Sequence, residues 1–123
     1  MANDQVTVLY LLLLLLQTLH IFEEIGLEAY RQVGSLGRYL AAAAVLVVLN
    51  YVPLFLMLLE ARAGYILGLA GALFGIANGV VHVAGYLKTR SMRGTLGAGM
   101  WTGIPLGLTG AVVLYRLLVI LLG

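Results

Sequence analysis

Four long apolar stretches, separated by short polar connections, constrain this chain of 123 residues more than any other feature. A bilayer core about 30 Å thick needs about 20 apolar residues per helical span, so four spans would use most of the chain. We predict spans over about residues 6–30, 39–60, 64–87 and 97–122. The stretches are rich in Leu and Ala and show no sustained alternation, which favours helices over strands. The predicted fold is an all-α, four-transmembrane-helix antiparallel bundle that forms one domain over residues 1–123.

The composition excludes several other classes of protein. Hydrophobic residues make up 63% of the chain and charged residues only 10%, whereas soluble domains have about 25% charged residues. The absence of cysteine excludes a disulfide framework and a thiolate metal site. The net charge of +2 is small and the basic residues are scattered, so we expect no nucleic-acid partner. The expected partner is the lipid bilayer, and a homo-oligomer or a larger membrane complex stays open.

The distribution of Lys and Arg predicts the orientation in the membrane. The first and third connections are basic, whereas the short second connection holds only Arg62. The basic residues of the first and third connections are Arg31, Arg38, Lys88, Arg90 and Arg93. Because basic loops stay in the cytoplasm, we expect a multi-pass protein of a bacterial inner membrane with both termini outside the cytoplasm.

Polar side chains form one stripe on each of two predicted spans. On a helical wheel of the first span, Gln17, His20, Glu24 and Glu28 fall within about 80° of one another, and Glu23 lies about 60° from His20. On the third span, His82 and Asn78 share a face with small residues, namely Gly71, Gly75 and Gly85. Small residues allow close helix contact in lipid, so this face is predicted to pack against another helix.

The two polar stripes are predicted to meet. The first and third spans of an alternating bundle run in the same direction, which places both polar sets about 3 to 9 Å from the midplane on the cytoplasmic side. A charged group in a span costs about 2.5 to 3.5 kcal/mol near the bilayer centre, and a bound cation would offset that for a carboxylate. Imidazole and carboxylate together suit Zn, Fe or Mn. The predicted ligands of one or two divalent metal ions are His20, Glu23, Glu24, His82 and Asn78.

The first polar stripe contains the sequence His20-Ile21-Phe22-Glu23-Glu24, which reads H-x-x-E-E. It resembles the HXXEE family of small integral membrane proteins, whose function is uncharacterised. The resemblance implies a helical membrane protein with a further histidine, matched here by His82, and a Y-x-P-G motif before the last span. At that place the chain has Ser91-Met92-Arg93-Gly94 and keeps only the glycine. Pro105 matches a proline within the family's last span.

Three functions are consistent with the polar residues. The first is a metal-dependent membrane enzyme that acts on a lipid-like or other hydrophobic substrate, with an unknown reaction type. The second is a non-catalytic accessory or structural subunit of a membrane protein complex. The third is a proton or metal-ion carrier, and the polar cluster itself could also be purely structural. Whether Glu28 and Glu60 belong to the cluster is open; Glu60 is expected at the outer interface.

Overall fold

The computed structural model describes the backbone of residues 2–123 and the side chains from Asn3 onward, and this part is helical with no strand. Its long helices are α1 (Ala2–Gly26), α2 (Leu36–Leu58), α3 (Arg62–Thr89) and α4 (Met100–Leu122), with a short 3-10 helix over Ala29–Val33. All four are long and apolar enough to cross a membrane. The predicted all-α bundle is confirmed, and the protein is an integral multi-pass membrane protein.

The boundaries of the first and fourth helices differ from the predicted spans because left-handed residues interrupt the helical conformation. α1 has about the predicted length but lies four residues earlier in the chain, whereas α4 is shorter at its start. α1 ends at Gly26 instead of near residue 30, since glycine is a poor helix former and Glu28 adopts a left-handed conformation with φ of 61°. α4 begins at Met100 instead of near residue 97, because Gly99 before it has φ of 99°. The connection before α4 is therefore longer than predicted, and it folds over the polar cluster.

The two middle helices are longer than predicted. α2 begins at Leu36 because the hydroxyl of Ser35 accepts a hydrogen bond from the backbone N–H of Arg38, which satisfies one of the free donors at a helix start. α3 extends two residues beyond the predicted span at each end, over Arg62–Thr89. α2 also ends two residues before the predicted boundary, at Leu58, so it is mainly shifted along the chain. The apolar centres of both helices were correctly located.

α3 and α4 form the closest helix pair, and glycines make it possible. A Cβ added to Gly79 would lie 2.7 Å from the carbonyl oxygen of Gly103, and one added to Gly110 would lie 2.7 Å from the carbonyl oxygen of Ala72. In lipid there is little hydrophobic gain from helix contact, so close van der Waals packing supplies much of the attraction. The small-residue face of the third span thus packs against the fourth helix.

The hydrophobic core lies inside the bundle, and the face of each long helix that points away from it is exposed. The core is built around Tyr10 and Leu13 of α1, Met57 of α2, and Leu106 and Leu117 of α4, all at most 2% exposed. Large apolar side chains on every long helix point outward, Phe22 and Phe55 among them. This distribution suits a bundle whose surrounding solvent is acyl chain.

Two connections are joined to each other at the end of the bundle that we expect in the cytoplasm. The Arg93 guanidinium lies 2.5 Å from Glu28, and the Arg31 guanidinium also pairs with Glu28. The backbone N–H of Gly94 donates to the Leu27 carbonyl at 2.6 Å. The connection between α3 and α4 is therefore fastened to the residues that follow α1.

The arrangement of connections predicts a labelling pattern. The chain lacks cysteine, so single cysteines can be placed at Gly37 near the start of α2, where an added Cβ has open space, and at the exposed Ala63 near the start of α3. In whole cells, a membrane-impermeant maleimide should label Ala63→Cys and should label Gly37→Cys only after the membrane is permeabilised. Equal labelling of both in intact cells would contradict the bundle's topology, and the reversed pattern would contradict only the expected orientation.

The ion pairs of Glu28 predict a pH-dependent contribution to stability. Hydrogen bonding to Arg93, aided by the charge of Arg31, lowers the pKa of the Glu28 carboxyl from its ordinary value of 4.5. A lowered pKa stabilises the fold above pH 4.5, and this contribution is lost as the pH falls through the folded-state pKa. Glu28→Gln should therefore unfold at a lower temperature than wild type at pH 7, and the difference should shrink below pH 4.5. Glu60→Gln, at the exposed turn between α2 and α3, is the control and should show no such difference.

Candidate functional site

Three polar side chains from two helices converge inside the bundle. His20 and Glu24 come from α1 and His82 comes from α3, and one ligand atom from each lies within 4.8 Å of the others. The centroids of the two imidazole rings are 4.6 Å apart, with the rings in an edge-to-face arrangement. His82 Nε2 lies 3.2 Å from Glu24 Oε1, and His20 Nε2 lies 3.8 Å from Glu24 Oε2. These three side chains are called the His/Glu group below.

The connection before α4 places a hydrogen on Nδ1 of the His82 ring. His82 Nδ1 lies 2.6 Å from the carbonyl oxygen of Leu96. Because a carbonyl can only accept, Nδ1 carries the hydrogen and donates it. Gly85 allows this approach, since a Cβ there would lie 2.6 Å from the Cβ of Leu96. When the ring is neutral, it presents the lone pair of Nε2 to Glu24; when it is protonated, Nε2–H donates to Glu24 Oε1.

The protonation of the His20 ring is fixed by α4. His20 Nδ1 lies 2.9 Å from the hydroxyl oxygen of Thr102. The single hydroxyl hydrogen of Thr102 is donated to Glu23 Oε2, so the hydroxyl oxygen accepts from His20 Nδ1–H. His20 thus has the same tautomer as His82, and its Nε2 is a buried atom with no hydrogen-bond partner.

Glu23 also holds the start of α4. Its two carboxylate oxygens accept the backbone N–H groups of Trp101 and Thr102, at 3.2 Å and 2.8 Å. The residue before the helix, Gly99, has no side chain that could cap these donors, and a carboxylate is favoured at the positive end of a helix. One side chain of α1 therefore positions α4 and, through Thr102, the ring of His20.

A second close approach places α4 against the ring of His20. A Cβ on Gly99 would lie 2.6 Å from His20 Cε1, and the φ of 99° is one that residues with side chains rarely adopt. Gly99 is therefore required both for the turn into α4 and for the space that the imidazole occupies.

The electrostatics of the group require a positive partner. With both rings neutral and both Nδ1 atoms donating outward, two nitrogen lone pairs and a carboxylate would face one another in a site where His20 is 1% and His82 5% exposed. Unpaired groups of this kind are costly in a medium without water. A proton shared with Glu24 or a metal ion between the three ligand atoms would remove the repulsion.

Tyr39 of α2 completes the surroundings of Glu24. Its hydroxyl donates to Glu24 Oε2 at 2.5 Å. This bond fixes the carboxylate between the histidines and places a phenolic O–H at the edge of the group. The sequence contains no spacing that ties Tyr39 to the cluster.

The structure brings together only three of the five predicted ligands. His20, Glu24 and His82 lie together, whereas the carboxylate of Glu23 is engaged by α4. Asn78 is half-buried one turn before His82 and makes no side-chain hydrogen bond to the described residues. Glu28 pairs with arginines and Glu60 lies in the exposed turn between α2 and α3, so neither belongs to the His/Glu group.

Three partners were missed from the sequence: Tyr39, Thr102 and the Leu96 carbonyl. Each reaches the group from a segment distant along the chain. The only sequence signal was a hydroxyl near the start of the fourth span, which is common in membrane helices and carries little information alone.

No family model, curated protein or solved structure shows significant similarity to this chain.

The relay from Glu23 through Thr102 to His20 predicts a sharp difference between two substitutions. Thr102→Val keeps the shape of the side chain but leaves His20 Nδ1 and Glu23 without their shared partner, which should lower the free energy of unfolding by about 1–3 kcal/mol. Thr102→Ser keeps the hydroxyl and should lie close to wild type. Unfolding in mixed detergent micelles would measure both. Equal destabilisation by Val and Ser would show that packing of the methyl group, and not the hydrogen bonds, is responsible.

Proposed function

We propose that the protein is a metal-dependent membrane enzyme that binds one divalent metal ion through His20, Glu24 and His82 and acts on a hydrophobic substrate from the bilayer. The observation that carries this proposal is the convergence of two imidazole Nε2 atoms and one carboxylate within 4.8 Å, with both Nδ1 atoms held from outside. Histidines that bind metals commonly donate their other ring N–H to a carbonyl or to a carboxylate-linked group. Both histidines here have that arrangement.

The donor set fits a divalent ion. Ligand atoms around a tetrahedral zinc ion lie about 3.3 Å apart, given bonds of about 2.0 Å. The 3.2 Å between His82 Nε2 and Glu24 Oε1 matches this, and the 3.8 Å between His20 Nε2 and Glu24 Oε2 is a little longer. The orphaned Nε2 of His20 is the atom that a metal would engage. Two histidines and one carboxylate suit zinc or ferrous iron, with manganese as a further candidate.

The protein's own residues have separate tasks in this proposal. A metal held by three protein ligands keeps open positions at which it can activate water or oxygen. Tyr39 orients Glu24 and holds a proton on its phenolic oxygen beside the site, where it can donate to an oxygen atom of the substrate. Glu23 and Thr102 fix His20 and hold α4 over the group. The near-complete burial of both histidines excludes bulk water.

A hydrophobic substrate is favoured by the location of the open edge. Glu24 is the most exposed member of the group, with 15% of its side chain accessible. The part of α2 that follows Tyr39 presents three exposed alanines to the surroundings, Ala41, Ala42 and Ala44. These small side chains leave a shallow, apolar approach from the acyl chains. A polar substrate would have to leave water to reach the same edge.

A carrier function receives less support from the packing. Ion or proton transfer through the bundle needs polar groups or water across the membrane depth. Beyond His20 and Gln17, the interior is filled by Leu13, Leu14 and Ala72, which are at most 2% exposed. This apolar layer separates the His/Glu group from the opposite end of the bundle.

We also propose that the protein belongs to the HXXEE family and that both of its termini lie outside the cytoplasm. The structure offers a physical reason for the motif's spacing. Residues four apart, His20 and Glu24, share one helix face and reach the metal site. Glu23, three residues from His20, turns toward α4 and accepts its free N–H groups.

Metal analysis of purified protein tests the proposal. After incubation with Zn²⁺, Fe²⁺ or Mn²⁺ in separate samples and removal of free ions, wild type should retain about one equivalent of at least one of them. His20→Ala, His82→Ala and Glu24→Gln should each lose it. Glu23→Gln should retain the stoichiometry but bind about 10- to 100-fold more weakly, as expected for a residue behind a ligand.

Glu60→Gln is the matched control, because it removes a carboxylate at the other end of the bundle. It should bind metal like wild type. Substoichiometric metal that is the same in wild type and in all histidine variants would exclude the metal site. Loss of stoichiometric metal in Glu23→Gln would instead show that Glu23 is a direct ligand, as first predicted.

A further inference from the structure

Positive charge is concentrated at one end of the bundle. Residues 27–38 and 88–99, which form the first and third connections with the adjoining helix ends, carry five basic residues and one acidic residue, Glu28. The basic residues are Arg31, Arg38, Lys88, Arg90 and Arg93. At the opposite end, two acidic and two basic residues balance each other, namely Asp4, Glu60, Arg62 and Arg116. Basic loops alone orient a chain in the membrane, and they do so without any contact between the arginines.

Two of these arginines meet on one carboxylate. Arg31 of the first connection and Arg93 of the third both contact Glu28, Arg31 at Oε2 and Arg93 at Oε1. The side chain of Glu28 is 14% exposed, whereas those of Arg31 and Arg93 are 64% and 74% exposed. The carboxylate therefore lies beneath two guanidinium groups that face outward. Arg31 and Arg93 are called the arginine pair below.

The arginine pair keeps most of its hydrogen-bond donors for an anion from outside the protein. A guanidinium has five N–H donors, and one nitrogen of each arginine contacts Glu28. No other acceptor among residues 3–123 binds either group. Both groups contact the same carboxylate, so one phosphate group can bridge them on the outward side, where the planar fork of arginine matches phosphate oxygens. With two positive groups and one negative group, the trio still attracts an anion.

Arg38 adds a third positive group at the same edge. A Cβ on Gly34, three residues after Arg31, would lie 3.4 Å from Arg38 Nη1. On the other side of Arg31, a Cβ on Gly94, which follows Arg93, would lie 3.3 Å from Arg31 Cδ. The three arginines therefore line one continuous surface that crosses both connections.

This surface lies where the apolar helices end. α1 ends at Gly26 and α2 begins at Leu36, so the first connection lies at the level of the lipid headgroups. Val33 and Leu36 are 49% and 40% exposed beside the basic residues, and exposed apolar side chains of this kind suit contact with acyl chains. A phospholipid presents both an anionic phosphate and acyl chains at this level, whereas a soluble anion presents only the first.

We infer that the arginine pair, with Arg38 beside it, binds the phosphate group of an anionic phospholipid. Glu28 positions both guanidinium groups, and Val33 and Leu36 contact the start of the acyl chains. Anionic headgroups attract basic residues next to a membrane span, with about a fivefold gain in binding for each Lys or Arg. An anionic lipid is preferred to a zwitterionic one, because the zwitterionic headgroup brings a cation of its own to a basic surface. The site involves neither the His/Glu group nor a metal ion.

Native mass spectrometry of the purified protein tests this inference. The protein is titrated in detergent with phosphatidylglycerol or with phosphatidylcholine of identical acyl chains. Wild type should bind one phosphatidylglycerol in preference to phosphatidylcholine, and Arg31→Gln/Arg93→Gln should lose this preference by about tenfold or more. Arg38→Gln should lose about two- to fivefold, because it leaves the arginine pair in place.

Arg31→Lys/Arg93→Lys separates the geometry of the site from its charge. The lysines keep both positive charges and can still pair with Glu28, so this variant should fold like wild type. A lysine cannot bind phosphate through a planar fork, so the preference for phosphatidylglycerol should fall by about three- to tenfold. Arg62→Gln/Arg116→Gln is the matched control, since it removes two positive charges at the opposite end. It should bind the lipid like wild type.

Several results would overturn the inference. An unchanged preference in Arg31→Gln/Arg93→Gln would show that the lipid charge is recognised elsewhere, and an equal loss in the control variant would show only a diffuse attraction. Wild-type preference in the lysine variant would contradict the bridging of one phosphate. Displacement of the bound lipid by millimolar inorganic phosphate would identify a free anion as the ligand.

The same titrations with and without a chelator keep this inference separate from the proposed metal site. Lipid preference should be equal in both, because no metal ligand lies in the basic surface. Loss of metal binding would therefore leave the lipid result unchanged, and lipid binding that disappears with the chelator would overturn the inference. Gel filtration of each variant verifies that it is folded.

Discussion

The absence of water in the bilayer interior is the constraint on which the structure depends. In that medium each polar group must find its partner inside the protein. The chain places His20, Glu24 and His82 at one depth and surrounds them with a hydroxyl from each of two other helices and a backbone carbonyl. The outward-facing side chains of the long helices are mostly apolar. The bundle is thus organised by the partners of a few polar side chains, while the many leucines only make it compatible with lipid.

The connection between α3 and α4 is as much part of the site as the helices are. Leu96 provides the acceptor for His82, and Gly99 leaves space for the ring of His20. The same connection is fastened to the end of α1 through Arg93 and Glu28. Displacement of this connection would therefore remove the acceptor of His82 Nδ1–H and change the space around the ring of His20. This connection is therefore needed to form the site, although it is not a long helix.

Two adjacent glutamates in one helix have different roles because a helix turns by about 100° per residue. Glu24 faces the histidines and Tyr39, whereas Glu23 faces the start of α4, where it replaces a missing cap. Counting acidic residues near a histidine cannot distinguish these roles. The distinction depends on which neighbouring helix lies on each side, and that is a property of the whole bundle.

The sequence by itself determined the four apolar helices, their approximate centres and the meeting of His20, Glu24 and His82, because length, hydropathy and helical periodicity are local properties. It left undetermined which carboxylate enters the group, and it gave no sign of Tyr39, Thr102 or the Leu96 carbonyl as partners. It also misplaced the C-terminal end of α1 and the start of α4, where left-handed residues interrupt the helix. Only the tertiary structure decided these points, since each depends on the rotation and contact of helices distant along the chain. The meeting of Arg31 and Arg93 at Glu28 is of the same kind, because two distant connections must touch before those arginines become neighbours.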